Sequence, residues 1–137
     1  MITKYINVRL IDADTDIKGV LATDGSTIIY AGSEDNCPHF DEYNTVDCKG
    51  NILMPSFIDL HCHLRDPGYP QKETIETGMR AALKGGYTTL CAMANTMPVC
   101  STVDVIQANL DKAKSLDLCR LIQAGAAGEG LKDENQS

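Results

Sequence analysis

The sequence contains no tryptophan, only two phenylalanines and no long apolar run. None of its apolar segments approaches the roughly 20 residues that a membrane-spanning helix needs. The N-terminal segment, MITKYINVRLID, alternates polar and apolar residues and lacks the unbroken apolar stretch of a signal peptide. We therefore expect a soluble, cytoplasmic protein with no membrane partner.

Basic residues are also in the minority, with 12 Lys and Arg against 19 Asp and Glu and a formal net charge of −7. Nucleic-acid binding requires a basic face that neutralises phosphates, so no nucleic-acid partner is expected. The length of 137 residues, 43% hydrophobic and 23% charged, is ordinary for one globular domain.

The six cysteines form no C-x-x-C pair, which argues against a zinc ribbon or a thioredoxin-type motif. Most lie in apolar stretches such as LCAM and LCRL, where a reduced cysteine behaves as a small buried hydrophobe. Without a secretion signal, free thiols are expected rather than disulfides. The acidic segment 12–16 resembles the start of a calcium loop, but the required glycine and bidentate glutamate are missing, so a solvated turn is predicted.

The two parts of the chain have different patterns of predicted secondary structure. The first fifty residues predict short strands over 2–10, 17–22 and 27–32, with a hairpin turn at Asp24-Gly25 and a loop over 33–44. Beyond residue 51, predicted strands alternate with helices, which implies parallel strands joined by helical crossovers. The strands are predicted over 52–65, 87–93 and 118–124, and the helices over 74–84 and from a capping box at Ser101–Asp104 onward. The tail, 124–137, matches no nucleotide-binding motif and has no predicted structure.

The segment DLHCHLR, residues 59–65, is the most informative part of the sequence. Successive side chains of a strand point to opposite faces, so one face would carry Asp59, His61, His63 and Arg65. The opposite face, with Ile58, Leu60, Cys62 and Leu64, suits packing against helices. Burying the polar face without partners would cost several kcal/mol for each group, which a cleft containing a metal avoids.

Two imidazoles at i and i+2 can converge on one ion at Zn–N distances of about 2.0–2.1 Å, with Asp59 as a supporting partner or an additional ligand. An isolated H-x-H pair also occurs by chance. Its position at the C-terminal end of a strand in an alternating βα segment favours the metal site, because such ends host active sites. From spacing alone Asn95 is as much a turn residue as a ligand contact, and His39 is expected at the surface.

Residues 51–98 resemble the N-terminal part of the dihydroorotases, in the metal-dependent amidohydrolase superfamily. The specific motifs are H-L-R-D-P-G, K-E-T-I-E-T-G and M-A-N-T, preceded by the turn DGSTIIYAG. The resemblance implies an α/β fold, the first part of a TIM-like (β/α)8 barrel preceded by strands of a small β-sandwich. Residues 1–50 would belong to the sandwich and residues 51–137 would form the first three βα units of the barrel.

The resemblance further implies that His61 and His63 bind Zn²⁺ in a binuclear site and that Arg65 and Asn95 hold the substrate carboxylate. The complete enzyme would catalyse the reversible hydrolysis of L-dihydroorotate to N-carbamoyl-L-aspartate in pyrimidine biosynthesis. The bridging ligand and the catalytic aspartate would come from later strands, beyond residue 137. The chain is thus expected to be an inactive first part of a longer enzyme.

Two positions depart from the family pattern, Ser56 where glycine is usual and Ala94 where proline is frequent. Both residues are of a kind that loops tolerate. There are two alternatives to the dihydroorotase function. The first is a related cyclic amidase, hydantoinase or allantoinase, and the second is a non-catalytic module that scaffolds a carbamoyltransferase. Assembly into a homodimer is also left open.

Overall fold

The computed structural model describes residues 1–128 and residue 131, and it shows an α/β chain with two compact units that divide between Pro55 and Ser56. The α/β class predicted from the sequence is thus confirmed. The glycine-rich tail, for which no structure is predicted, lies largely outside the described residues. Among the helices that are described, none is long and apolar enough to cross a lipid bilayer.

The N-terminal unit is built on one mixed sheet. Its strands are β1 (Ile2–Ile11), β2 (Asp16–Asp24), β3 (Thr27–Gly32), β4 (Asn44–Asp47) and β5 (Ile52–Leu53). The order is β3-β2-β1-β4, and β5 extends the pairing of β1. The first three strands are antiparallel, whereas β4 and β5 run parallel to β1. The predicted hairpin is confirmed, because Asp24 pairs with Thr27 and Gly25 takes the left-handed φ of +57° that such a turn requires.

The structure of this region differs from the prediction at two points. The loop predicted over 33–44 contains a 3₁₀ turn at Glu34–Asn36, and strand β4 was not predicted. All four residues of β4 are exposed, so backbone pairing with β1 forms the strand without any apolar alternation to reveal it. The predicted solvated turn is confirmed: the exposed Asp12 side chain accepts a hydrogen bond from the Asp14 N–H at 2.9 Å.

The C-terminal unit alternates strands and helices. Its elements are β6 (Phe57–Cys62), α1 (Ile75–Lys84), β7 (Tyr87–Ala92), α2 (Val103–Leu116) and β8 (Arg120–Gln123). The strands form a parallel sheet in the order β6-β7-β8, which confirms the predicted parallel arrangement. The core between sheet and helices consists of Leu64, Ile75, Met79, Leu90, Ala92 and Ala113.

The strand predicted over 52–65 is divided in the structure. Pro55 lies between β5, which pairs with β1, and β6, which pairs with β7. Proline has no N–H to donate to a ladder, so it separates the two strands. The segment that carries His63 and Arg65 begins where β6 ends at Cys62.

The two helices begin differently. Thr74 and Thr77 form a reciprocal capping box at the start of α1, each hydroxyl 3.1 Å from the other residue's backbone nitrogen. The capping box predicted at Ser101–Asp104 is wrong. The N-cap of α2 is Thr102, without a side-chain cap, and the third helical position is then Val105, which offers no side-chain acceptor.

The predicted packing of Ile58 and Leu60 against helices is also wrong, since they are 59% and 74% exposed. Cys62 and Leu64, from the same predicted face, do pack in the core. Strand β6 lies at the edge of the described sheet, and the helical residues of the core cluster cover only its C-terminal end.

Candidate functional site

The three parallel strands end at one edge of the sheet. The Met93 N–H donates to the carbonyl of Cys62, and the Ala124 N–H donates to the carbonyl of Ala92, both at 2.9 Å. These bonds bring the segments after β6, β7 and β8 side by side. The candidate side chains after β6 and β7 therefore meet at the edge where parallel sheets bind ligands.

The two histidines of the H-x-H motif lie together at this edge. The ring centroids of His61 and His63 are 5.1 Å apart in an edge-to-face arrangement, and both side chains are exposed. His63 Nδ1 lies 2.8 Å from Oδ1 of Asn95. Because an amide oxygen only accepts, Nδ1 is the donor of this hydrogen bond. The structure thus joins His63 and Asn95, which sequence reasoning had not paired.

Asp59 contacts the backbone of the motif. Its Oδ1 accepts a hydrogen bond from the His61 N–H at 3.0 Å. The pairing of β6 with β7 is irregular at this point. Asp59 pairs with Leu90 and Cys62 pairs with Ala92, so three residues along β6 correspond to two along β7. The regular alternation expected over 59–65 is therefore interrupted between Asp59 and Cys62. Within the described part of the chain, no group of three or more His, Cys, Asp or Glu side chains is arranged to hold a metal ion.

Arg65 turns the chain away from the strand. Its φ is +58°, a left-handed conformation that is uncommon for a residue with a side chain, and its carbonyl accepts from the Tyr69 N–H at 2.9 Å. The side chain is half-buried and forms no ion pair with any described residue. The neighbouring Asp66 binds Lys112 and accepts from the Ile75 N–H at 3.3 Å. The Arg65 charge thus stays available to an anion.

Gly68 holds the loop after β6 against the loop after β7. Its φ is +103°, and a Cβ built on it would lie 2.4 Å from the carbonyl oxygen of Met97. The Met97 N–H donates to the Pro67 carbonyl at 2.9 Å. The close approach explains the glycine of the D-P-G sequence, because any side chain would push the two loops apart.

The remaining titratable groups near the motif have other roles. Burial, followed by the charge of Asp59 and the nearby Cys91 and Cys119 thiols, raises the pKa of Cys62 to about 11. This thiol therefore stays protonated and is unsuited to act as a nucleophile. All six cysteines are free, as predicted. His39 is exposed and lies 3.6 Å from Asp41, which agrees with its predicted surface position.

Sequence reasoning missed the polar side chains beneath the β7 loop. Thr96 and Asn109 are buried, and the Asn109 side chain donates to Gln123 at 3.1 Å. The signal that could have revealed this contact is a polar residue within the apolar stripe of α2. Asn109 lies on the same helical face as Ile106 and Ala113, at spacings of three and four residues.

The family model described as dihydro-orotase-like matches residues 50–134. The chain belongs to the dihydroorotase-like family. The dihydroorotase of Clostridium botulinum (strain Eklund 17B / Type B) is 45% identical over 117 residues, which cover 85% of this chain and 29% of that protein. The dihydroorotase of Desulforapulum autotrophicum is 41% identical over 138 residues, or 98% of this chain and 32% of that protein. The chain thus spans about a third of the length of these curated relatives.

Two solved structures share the fold of this chain. The L-hydantoinase (dihydropyrimidinase) from Arthrobacter aurescens matches with a TM-score of 0.74 at 21% identity, over 90% of this chain and 27% of that one. The D-hydantoinase (dihydropyrimidinase) from a Thermus species matches with a TM-score of 0.63 at 29% identity, over the same shares. The family model and the curated relatives together confirm the dihydroorotase-like resemblance at the level of the family.

Proposed function

We propose that the protein to which this chain contributes is a dihydroorotase, which reversibly hydrolyses L-dihydroorotate to N-carbamoyl-L-aspartate. The observation that carries the proposal is the meeting of His61, His63 and Asn95 at one sheet edge. In the adjoining loop, Arg65 forms no ion pair with any residue that the structure describes. Paired imidazoles suit a metal, and a guanidinium suits the carboxylate of this substrate.

The proposal extends to the architecture. Residues 1–50 would be part of a β-sandwich, and residues 51–137 would be the first three βα units of a (β/α)8 barrel. A complete barrel takes about 250 residues, and the chain spans only about a third of its curated relatives. The parallel sheet β6-β7-β8, with the candidate ligand residues at the C-terminal ends of its strands, supports this assignment.

The histidines fit a zinc site as part of its ligand set. With Nδ1 of His63 donating to Asn95, its Nε2 is the nitrogen left to bind a metal. Zinc takes about four ligands, so His61 and His63 would supply some of them and groups outside this chain the rest of a binuclear site. When bound, zinc polarises a carbonyl and lowers the pKa of water. The Asp59 carboxylate would steady the backbone at His61.

Arg65 and Asn95 would orient the substrate. The planar guanidinium matches a carboxylate with two parallel hydrogen bonds. Because Oδ1 of Asn95 faces His63, its Nδ2 hydrogens are left to donate to the same carboxylate. The general acid/base aspartate is expected beyond residue 137, so we expect no turnover from this chain alone.

The metal assignment is tested by replacing His61 and His63 together with alanine in the protein that contains this chain. Zinc content, measured by elemental analysis, should fall by at least one ion per chain, because two ligands are lost. His39→Ala is the matched control, since His39 is exposed and remote in sequence from the motif. Full zinc occupancy in the double variant would refute the assignment.

The substrate assignment is tested with Arg65→Ala. Loss of a charge-assisted pair worth about 1.5–3 kcal/mol should weaken dihydroorotate affinity by about 10-fold to 150-fold while zinc content stays the same. Arg80→Ala is the control, because Arg80 binds Glu76 on the outside of α1. Unchanged affinity for dihydroorotate would contradict the role of Arg65.

A hydantoinase-type activity is the second candidate, supported by the D-hydantoinase likeness at 29% identity. Hydrolysis of hydantoin without hydrolysis of dihydroorotate would favour the hydantoinase-type activity over the dihydroorotase activity. Absence of both activities in a metal-loaded protein would favour a non-catalytic scaffold. Three inferences remain predictions from the sequence: location in the cytoplasm, assembly into a homodimer and association with a carbamoyltransferase.

A further inference from the structure

A chain of buried polar groups lies beneath the loop that carries Asn95. Thr96, Cys100 and Asn109 are 5%, 0% and 4% exposed. The described residues contain no buried side-chain nitrogen or oxygen without a hydrogen-bond partner, so these groups are satisfied by one another and by the backbone. Such an arrangement fixes a geometry, because every displaced member leaves a buried polar group unpaired.

Asn109 is the centre of this network. Its Nδ2 donates to Sγ of Cys100 at 3.3 Å and to Oε1 of Gln123 at 3.1 Å. Gln123 in turn donates through Nε2 to the carbonyls of Ala92 and Ala124, both at 3.1 Å. One side chain of α2 thus connects the end of β7 with the end of β8.

Hydrogen bonds of the same network hold the loop on both sides of Asn95. The Cys100 N–H donates to the carbonyl of Ala94 at 3.1 Å, directly before Asn95. Directly after it, the Thr96 hydroxyl donates to the Pro98 carbonyl at 2.7 Å and contacts the Cys100 sulfur at 3.2 Å. The backbone position of Asn95 therefore depends on where Asn109 holds Cys100.

We propose that Asn109, acting through Cys100 and Gln123, is a positioning residue that holds Asn95 against His63 and so controls binding of the substrate carboxylate. This inference rests on the proposed function for its consequence in catalysis. Its structural part, the control of the Asn95 loop by Asn109, stands on the contacts alone.

The experiment uses Asn109→Asp in the full-length protein that contains this chain. The substitution keeps the side-chain shape but replaces the Nδ2 donor with an acceptor. Ala113→Gly is the matched control, because Ala113 is also buried on α2 but belongs to the apolar core. Amide hydrogen exchange is compared between Cys100 in the loop and Leu90 in the core, and KM for dihydroorotate is measured on the same preparations.

In Asn109→Asp, the Cys100 amide should exchange about 10-fold faster relative to Leu90 than it does in the wild type. KM should rise about fivefold to 10-fold, with kcat changed less and with zinc content unchanged. Ala113→Gly should leave both the exchange ratio and KM at their wild-type values, because it removes no side-chain hydrogen bond of the network.

The inference would be overturned if the Cys100 amide exchanged at its wild-type rate in Asn109→Asp, or if Ala113→Gly accelerated that exchange equally. A wild-type KM in an Asn109→Asp variant with faster Cys100 exchange would also overturn it. Should Asn109→Asp fail to fold, Gln123→Glu removes the next donor of the path and is judged by the same ratio. A wild-type protein that does not turn over dihydroorotate refutes the proposed function, whereas the exchange ratio needs no substrate and still decides the role of Asn109.

Discussion

Replacing Gly68 with alanine is expected to separate the two loops that carry Arg65 and Asn95. A side chain at φ +103° is conformationally strained, at a cost of about 1–2 kcal/mol. The added Cβ would also lie 2.4 Å from the carbonyl oxygen and 2.5 Å from the Cβ of Met97, so the backbone must shift. Relief of such overpacking costs about 1–3 kcal/mol more. The total loss of stability should be about 2–5 kcal/mol.

Gly86→Ala is the control that isolates the contact with Met97. Gly86 has a φ of +84° in the same unit, but a Cβ there would meet only Phe57, no closer than 3.5 Å. Its replacement should therefore cost only the conformational strain of about 1–2 kcal/mol. The difference of about 1–3 kcal/mol between the two variants measures the close approach of the loops.

The assay is amide hydrogen exchange of Met97, whose N–H donates to the Pro67 carbonyl at 2.9 Å across the two loops. Gly68→Ala should accelerate this exchange by about 5-fold to 140-fold beyond the effect of Gly86→Ala, since about 1.4 kcal/mol corresponds to a factor of ten. Equal exchange of Met97 in the two variants would refute the loop contact as the reason for the glycine.

Two further predictions follow from the surroundings of the motif. Because the pKa of Cys62 is raised to about 11, its labelling by iodoacetamide at pH 8 should be about 100-fold slower in the folded protein than in urea and should accelerate as pH rises; equal labelling rates by mass spectrometry would contradict this. Lys112→Met should destabilise the C-terminal unit by about 1 kcal/mol in urea denaturation, because Asp66 loses its ion pair. Lys114→Met, on the exposed side of α2, should change the midpoint little, and matching losses would argue against a role for the ion pair.

Local patterns predicted the elements best where apolar periodicity or turn chemistry was strong. Helix α1 begins one residue from its predicted start, and β3 has the predicted bounds, 27–32. The patterns failed where pairing does not depend on buried side chains, as in β4, and where a proline divides an apolar run, as at Pro55. The capping box at Ser101 failed because the position of a helix start decides which residue can complete it.

The sequence by itself determined the alternation of strands and helices, the H-x-H pair and the motifs that resemble the dihydroorotases, since all of these are encoded within short segments. Only the tertiary structure decided that Asn95 binds His63, that Gly68 lies against Met97 and that Asn109 supports the loop between them. Each of these contacts joins segments more than eight residues apart. Their formation depends on which strand ends lie side by side in the sheet, and no local pattern of residues specifies that neighbourhood.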